Sequence, residues 1–172
     1  MREKSNLERC VARLGENGVS LIMKLLFALG VAVAVSLLSQ FSAMAATCSV
    51  STTSVRFSSY DVFSTIPLDT TGSVTFNCDA ALSVSMVLNR GGSSTFNPRR
   101  MTKGSEPVNY NLYLDASKST IWGDGTGNTS VYSNPSTPVN QNVTVTIFGS
   151  MPARQNASVG SYTDSISVTI NF

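Results

Sequence analysis

Apolar and polar side chains alternate with a period of two at the C-terminal end of the chain. One face of this run carries Tyr162, Asp164, Ile166, Val168, Ile170 and Phe172. The residues between them are hydroxyl or amide residues. This period is typical of a β-strand with one buried and one solvated face. The pattern therefore predicts a strand over 161–172, whose apolar face only Asp164 interrupts.

Similar short runs recur through the preceding hundred or so residues, separated by turns rich in Gly, Pro and Asn. The predicted strands are 49–57, 73–78, 83–89, 108–115, 139–148 and 161–172, with a short extra piece at Ile121-Trp122. No window combines a sustained period of 3.6 with helix caps. The pattern favours an all-β sandwich over alternating strands and helices.

The chain up to residue 45 has a different character. Lys24 precedes an apolar run of about 14 residues, and Ala43-Met44-Ala45 follows as a small-residue cleavage site. The run is shorter than the roughly 20 residues that cross a bilayer. We therefore predict a signal peptide over 23–45, cleaved between Ala45 and Ala46, and a mature domain over 46–172 without a membrane span.

Residues 1–22 do not fit the basic start of a signal peptide, because the segment is long and mixed in charge. Met23 directly precedes Lys24 and the apolar run. We interpret Met23 as the true start and 1–22 as an extension that comes from an upstream start codon.

Charge is scarce and balanced in the predicted mature domain. Charged residues make up 13% of the chain, and 46–172 holds seven Lys or Arg against seven Asp or Glu. The net charge of +2 therefore belongs to the first 45 residues. A neutral domain has no basic surface for nucleic acid, and low net charge favours self-association.

Cysteine and histidine usage limits the chemistry that the domain can perform. Export places Cys48 and Cys78 in an oxidising compartment, where they are predicted to form a disulfide. The chain contains no histidine, so Ser-His and Cys-His nucleophile pairs are excluded. The acidic residues are scattered singly. The sequence predicts no enzyme activity, no cofactor and no metal site.

Two local clusters are candidate binding sites. Trp122 lies beside polar residues that include Asp124 and Asn128, and such a loop could stack on a sugar or hold a cation; a tight turn is the favoured interpretation. The basic run at 99–103 is predicted to be a solvated loop, with docking to an acidic partner as the alternative.

The predicted final strand would leave one edge of the sandwich open. A flat, uncharged edge is a template onto which another chain can add a strand. This open edge is the sequence feature closest to a function.

Several short motifs follow one another in an order that resembles a known family. They are Cys48-Ser49-Val50, the run 72–78, the run 110–115, Trp122-Gly123-Asp124-Gly125-Thr126, Ile147-Phe148-Gly149, and the run 160–164 with the closing strand. Together they resemble the spore coat protein U domain, the subunit module of archaic chaperone–usher pili. The resemblance spans 47–172.

The resemblance implies an immunoglobulin-like sandwich that lacks its last strand. A periplasmic chaperone would lend that strand, and an outer-membrane usher would exchange it for a donor strand from the neighbouring subunit. The product would be a surface fibre of a Gram-negative bacterium that serves attachment and biofilm formation. Other members of the family coat bacterial spores.

One departure from the family concerns the donor strand. A donor needs about 9–15 residues, but cleavage before Ala46 leaves only Ala46-Thr47 ahead of Cys48. The mature chain would accept a strand without donating one, as a terminal subunit does. The alternatives are a spore- or surface-coat protein assembled without an usher, and a stand-alone secreted adhesin or carbohydrate-binding module.

Overall fold

The alternating runs form eight β-strands in the computed structural model, which describes residues 45–172. The predicted extension over 1–22 and all of the predicted signal peptide except Ala45 lie outside the described residues. The strands are β1 Cys48–Thr53, β2 Leu68–Cys78, β3 Val84–Leu88, β4 Arg99–Lys103, β5 Glu106–Tyr113, β6 Tyr132–Asn134, β7 Val143–Met151 and β8 Val168–Asn171. Among these residues, no helix has the length and apolar character to cross a membrane.

The strands form two antiparallel sheets that enclose one apolar core. The larger sheet has the order β1-β2-β7-β5-β4, and the smaller has the order β6-β3-β8. Alternate residues of the central strands are buried; examples are Phe76 in β2, Met86 in β3, Leu112 in β5 and Ile147 in β7. The predicted all-β sandwich is confirmed, and β1 and β8 lie at sheet edges.

The predicted disulfide is present between Cys48 and Cys78, with an S–S distance of 2.05 Å. The two residues face each other across the β1–β2 ladder. The other five residues of β1 are exposed, so its side chains contribute little apolar burial to its attachment. The disulfide therefore fixes the start of β1 to the end of β2.

Replacing both Cys48 and Cys78 by Ser should lower the free energy of unfolding by about 3–4 kcal/mol. This is the loss expected when a cross-link with a sequence separation of 30 is removed. Urea denaturation of residues 46–172 measures it. Reduced wild-type protein should match the double variant, and equal midpoints for oxidised wild type and double variant would contradict the expectation.

The prediction of a solvated loop at 99–103 is wrong, because these residues form β4. Exposure alternates along it: Arg99 is fully buried, Arg100 is exposed and Met101 is half-buried. Arg99 donates from Nε and Nη2 to the carbonyl of Asn89 and from Nη2 to the carbonyl of Trp122. These acceptors allow a guanidinium group in the core.

The first and last predicted strands are shorter than the sequence indicated. β1 ends at Thr53, and the regular pairing of the final strand covers only Val168–Asn171. An isolated bridge joins Thr102 to Thr163. Residues 164–167 have no strand ladder.

Candidate functional site: a groove between two strand margins

An apolar groove opens along one side of the sandwich, with a volume of about 730 Å³. One margin consists of the nine residues 52–60. The other spans 160–168, where all residues except Ser165 and Ser167 line the groove. Its floor is formed by inward-facing residues of three strands, namely Met101, Tyr110, Leu112, Ile147 and Met151. Side chains of the two opposing sheets cover such a floor where a sandwich is complete.

The first margin continues the chain beyond β1. Val55 and Phe57 are half-buried and face the core. The sheet is recessed beneath Val55 because two glycines of the sheet lie under its side chain. A Cβ at Gly72 would lie 2.8 Å from Val55 Cγ2, and a Cβ at Gly149 would lie 2.7 Å from Val55 Cγ1. The backbone of 54–60 makes no backbone–backbone hydrogen bond to any described residue. The Arg56 carbonyl accepts a hydrogen bond from Thr70 Oγ1 at 2.8 Å, and the other backbone groups of 54–60 are unpaired among the described residues.

The second margin is the segment that leads into β8. The predicted alternation is present, because Tyr162, Asp164, Ile166, Val168 and Ile170 are half-buried and the residues between them are exposed. Phe172 departs from the prediction, since 59% of it is exposed beyond the end of β8. The apolar face of the final segment therefore ends at Ile170.

The backbone of this second margin is paired along one edge only. β8 pairs with β3 and lies at the edge of its sheet, and Ser167 accepts a hydrogen bond from Asn89 N at 3.1 Å. Successive residues of an antiparallel strand direct their backbone groups to opposite edges. The N–H and C=O groups of Ile166, Val168 and Ile170 should therefore point to the groove.

Asp164 can interrupt the apolar face because three neighbouring groups donate hydrogen bonds to its carboxylate. Its carboxylate accepts bonds from Tyr110 OH at 2.6 Å and from the amides of Gly92 and Ser165 at 2.8 Å each. Burial and the bond to Asp164 raise the pKa of Tyr110 far above its ordinary value. The phenol therefore stays protonated and donates to the carboxylate across the groove floor.

Trp122 lies in the core and not on a binding surface. It is fully buried, and its Nε1 donates to the carbonyl of Met86 at 3.0 Å. Asp124 accepts from the amide and hydroxyl of Thr126 within a tight turn, and Asn128 has a φ of 63°. The hypothesis that Trp122 stacks on a sugar beside Asp124 and Asn128 is wrong, because the indole is enclosed by the core.

A polar cluster lies at the Tyr162 end of the second margin. Glu106 accepts hydrogen bonds from Ser158 Oγ, from Lys103 Nζ at 3.0 Å and from Tyr162 OH at 3.1 Å. These bonds lower the pKa of Glu106 from 4.5 to about 2, and the bond from Ser158 has the largest effect. The cluster links the β4–β5 hairpin to the segment that carries the groove margin.

The contribution of Glu106 should depend on pH. Its folded-state pKa is below its unfolded value, so its stabilising effect is complete above about pH 4.5 and disappears as the pH falls towards 2. The difference in Tm between wild type and Glu106→Gln should shrink over this interval. Thermal unfolding at several pH values measures it, and a constant difference would mean that the carboxylate makes no such bonds.

Comparison with known proteins agrees with this architecture. A family model described as the Spore Coat Protein U domain matches residues 32–169. None of the curated proteins matches the sequence. Among solved structures, the fold is similar to a chain of the CsuC–CsuE chaperone–tip adhesion subunit pre-assembly complex, from the archaic chaperone–usher Csu pili of Acinetobacter baumannii.

That structural match has a TM-score of 0.55 and 20% sequence identity, and covers 74% of this chain. It covers 40% of the other chain, so the present chain spans less than half of that neighbour's length. At this identity the likeness establishes the fold. The family match covers most of the sequence, and the chain therefore belongs to the Spore Coat Protein U domain family.

Proposed function

We propose that this chain is a structural subunit of a surface pilus assembled by a chaperone–usher pathway, and that it acts by accepting a strand. The observation that carries this proposal is the apolar groove, whose two margins both expose unpaired backbone groups. An incoming β-strand would provide hydrogen-bond partners for the two margins and an apolar cover for the floor. Its backbone pairs with the margins while alternate side chains cover the floor.

The size of the groove suits an extended segment. Margins of about nine residues correspond to about 30 Å of strand. Four or five side chains of such a segment would point to the floor, since alternate residues share a face. Residues such as Val or Ile at those positions would meet Leu112, Ile147 and Met151. The proposed occupant is therefore a strand with alternating apolar residues.

The partners follow from the route of assembly. A periplasmic chaperone would occupy the groove first, and an outer-membrane usher would exchange its strand for that of a neighbouring subunit. The family match and the fold shared with a chain of a pilus pre-assembly complex support this order. The subunit would reach the cell surface through the periplasm and would serve attachment and biofilm formation, with no catalytic role.

The position of the subunit in the fibre depends on where the signal peptide is cut. Cleavage between Ala45 and Ala46 would leave two residues ahead of β1, too few for a donor strand. Intact-mass measurement of the exported protein should give a chain that begins at Ala46. A chain that begins at Ala46 would occupy a terminal position in the fibre. An extension of about ten residues ahead of Cys48 would instead make the subunit a link within the fibre.

A coat protein assembled without an usher is the second candidate, because the family name refers to spore coats. The two candidates differ in their genetic setting. Genes for a periplasmic chaperone and an outer-membrane usher beside this one favour the pilus. The third hypothesis, a stand-alone secreted adhesin or carbohydrate-binding module, loses its main support because Trp122 is buried.

Peptide binding tests the proposal. A labelled peptide of about nine residues that alternates Val and Thr should bind residues 46–172 saturably, as measured by fluorescence anisotropy. The matched control replaces every second Thr by Pro, which removes backbone donors and should abolish binding. Equal binding of both peptides, or binding of neither, would refute strand acceptance.

A further inference from the structure

Two side-chain oxygens replace backbone carbonyls beside the second margin of the groove. Asp164 Oδ1 accepts from the amides of Gly92 and Ser165, at 2.8 Å each. Asn89 Oδ1 accepts from Gly91 N at 3.1 Å and from Ser167 N at 2.9 Å. Each oxygen thus binds one amide of the β3–β4 connection and one amide of the C-terminal segment.

These bonds occur where the strand ladder is interrupted. Thr163 pairs with Thr102 of β4, and Val168 pairs with Leu88 of β3. Between these two pairs, the connection 89–98 leaves the sheet. The amides of residues 165 and 167 would otherwise lack a protein partner on that side, so the two side-chain oxygens take the place of the missing strand ladder.

The connection is shaped around the Asp164 carboxylate. Gly91 has a φ of 63°, and a Cβ built on it would overlap Asp164 Oδ2. The same Oδ2 accepts the hydrogen bond from Tyr110, which is buried in the groove floor. The carboxylate is therefore held from two sides, by the floor and by the connection.

We infer that Asp164 and Asn89 are positioning residues that hold residues 164–167 extended, so that the strand-accepting edge exists before a strand arrives. This inference rests on the proposed function. With the inner-edge amides of Ser165 and Ser167 satisfied by side chains, the alternating backbone groups of Asp164 and Ile166 are left for the incoming strand. A partner then binds an ordered edge, which lowers the entropic cost of association.

Amide hydrogen exchange in the strand-free protein tests the positioning itself. Asp164→Leu should increase exchange at Ser165 and Gly92, and leave Thr169, paired with β3, unchanged. Asp164→Asn keeps an acceptor oxygen and should restore the protection. Unchanged exchange at Ser165 in Asp164→Leu would overturn the inference.

Peptide affinity tests the consequence for binding. Asp164→Leu and Asn89→Leu should each weaken binding of the Val/Thr peptide by about tenfold, the loss expected from ordering one or two additional residues. Asp164→Asn should bind like wild type. If Asp164→Leu does not fold, Asn89→Leu tests the positioning role by itself, because it leaves the Asp164 carboxylate and its hydrogen bond from Tyr110 in place.

Asp115 provides a matched control away from the groove. Its carboxylate accepts bonds from Ser117 Oγ and from the amides of Ser119 and Thr120. Asp115→Leu should lower the Tm without changing peptide affinity. Equal affinities for wild type, Asp164→Leu and Asn89→Leu would refute the positioning role.

The two hypotheses fail in distinguishable ways. If wild-type protein binds no peptide, strand acceptance is refuted, but exchange at Ser165 and Ser167 still shows whether the side chains order the segment. If wild type binds and the variants bind equally well, strand acceptance stands and the positioning role is refuted.

Discussion

Fusing a strand of about nine alternating Val and Thr residues behind Phe172, through a short flexible linker, should raise the Tm of residues 46–172 by about 10 °C or more. The fused strand would cover the floor residues Leu112, Ile147 and Met151 and pair with both margins. Apolar burial and new backbone hydrogen bonds both favour the folded state. Differential scanning calorimetry measures the increase.

The control for this fusion keeps its length and linker. Replacing its inward-facing Val residues by Asp should remove the gain, because unpaired carboxylates would be buried against an apolar floor. Size-exclusion chromatography should also show that the Val/Thr fusion is monomeric where the unfused domain self-associates. An equal Tm for both fusions would show that the strand does not enter the groove.

Replacing Arg99 by Ala should lower the free energy of unfolding by about 3–5 kcal/mol, as expected for the loss of a buried group that binds several partners. The variant would leave the carbonyls of Asn89 and Trp122 without the side-chain donor that binds them. Asn111 Oδ1 would lose one of its two donors and keep the amide of Leu112. It would also remove the guanidinium that lies 5.2 Å from the centre of the Phe96 ring. Urea denaturation provides the measurement.

Arg100 is the matched control for Arg99, because it is the next residue of β4 and faces solvent. Arg100→Ala should change the free energy of unfolding by about 0.5 kcal/mol at most, as is usual at exposed positions. Similar losses for the two variants would mean that the buried hydrogen bonds of Arg99 do not stabilise the fold.

The periodicity of the sequence predicted the β class and the inward face of the final segment. That pattern is local, since each residue's side depends only on its position along the strand. Strand pairing depends on residues distant in sequence, and this explains why the final strand was predicted longer than it is. Residues 164–167 have strand-like alternation but no ladder, because the connection 89–98 leaves the sheet beside them.

The error at β4 has a different cause. Three of the five residues in Arg99–Lys103 are cationic, and such a run is usually solvated. Only the acceptors that converge on Arg99 from β5 and from two carbonyls distant in sequence make its burial possible. Only Met101 among these five residues is apolar, so the sequence itself carries no alternation that could have identified the strand.

The groove could be anticipated from the sequence only as an open edge. Its floor depends on residues of β4, β5 and β7, which are brought together by pairings that no local pattern specifies. The recess under Val55 depends on Gly72 and Gly149, which lie on neighbouring strands 77 residues apart in sequence. Strand acceptance was therefore expected from family resemblance, and the structure adds the residues that would form the site.

Amide hydrogen exchange of the strand-fused protein, followed by NMR, tests strand acceptance most directly. Relative to the unfused domain, the amides of Ile166, Val168 and Ile170 should become protected, because their backbone groups face the groove. Protection at Thr169 and Asn171, already paired with β3, should change little. No new protection at Ile166, Val168 and Ile170, with the fusion folded, would contradict the account.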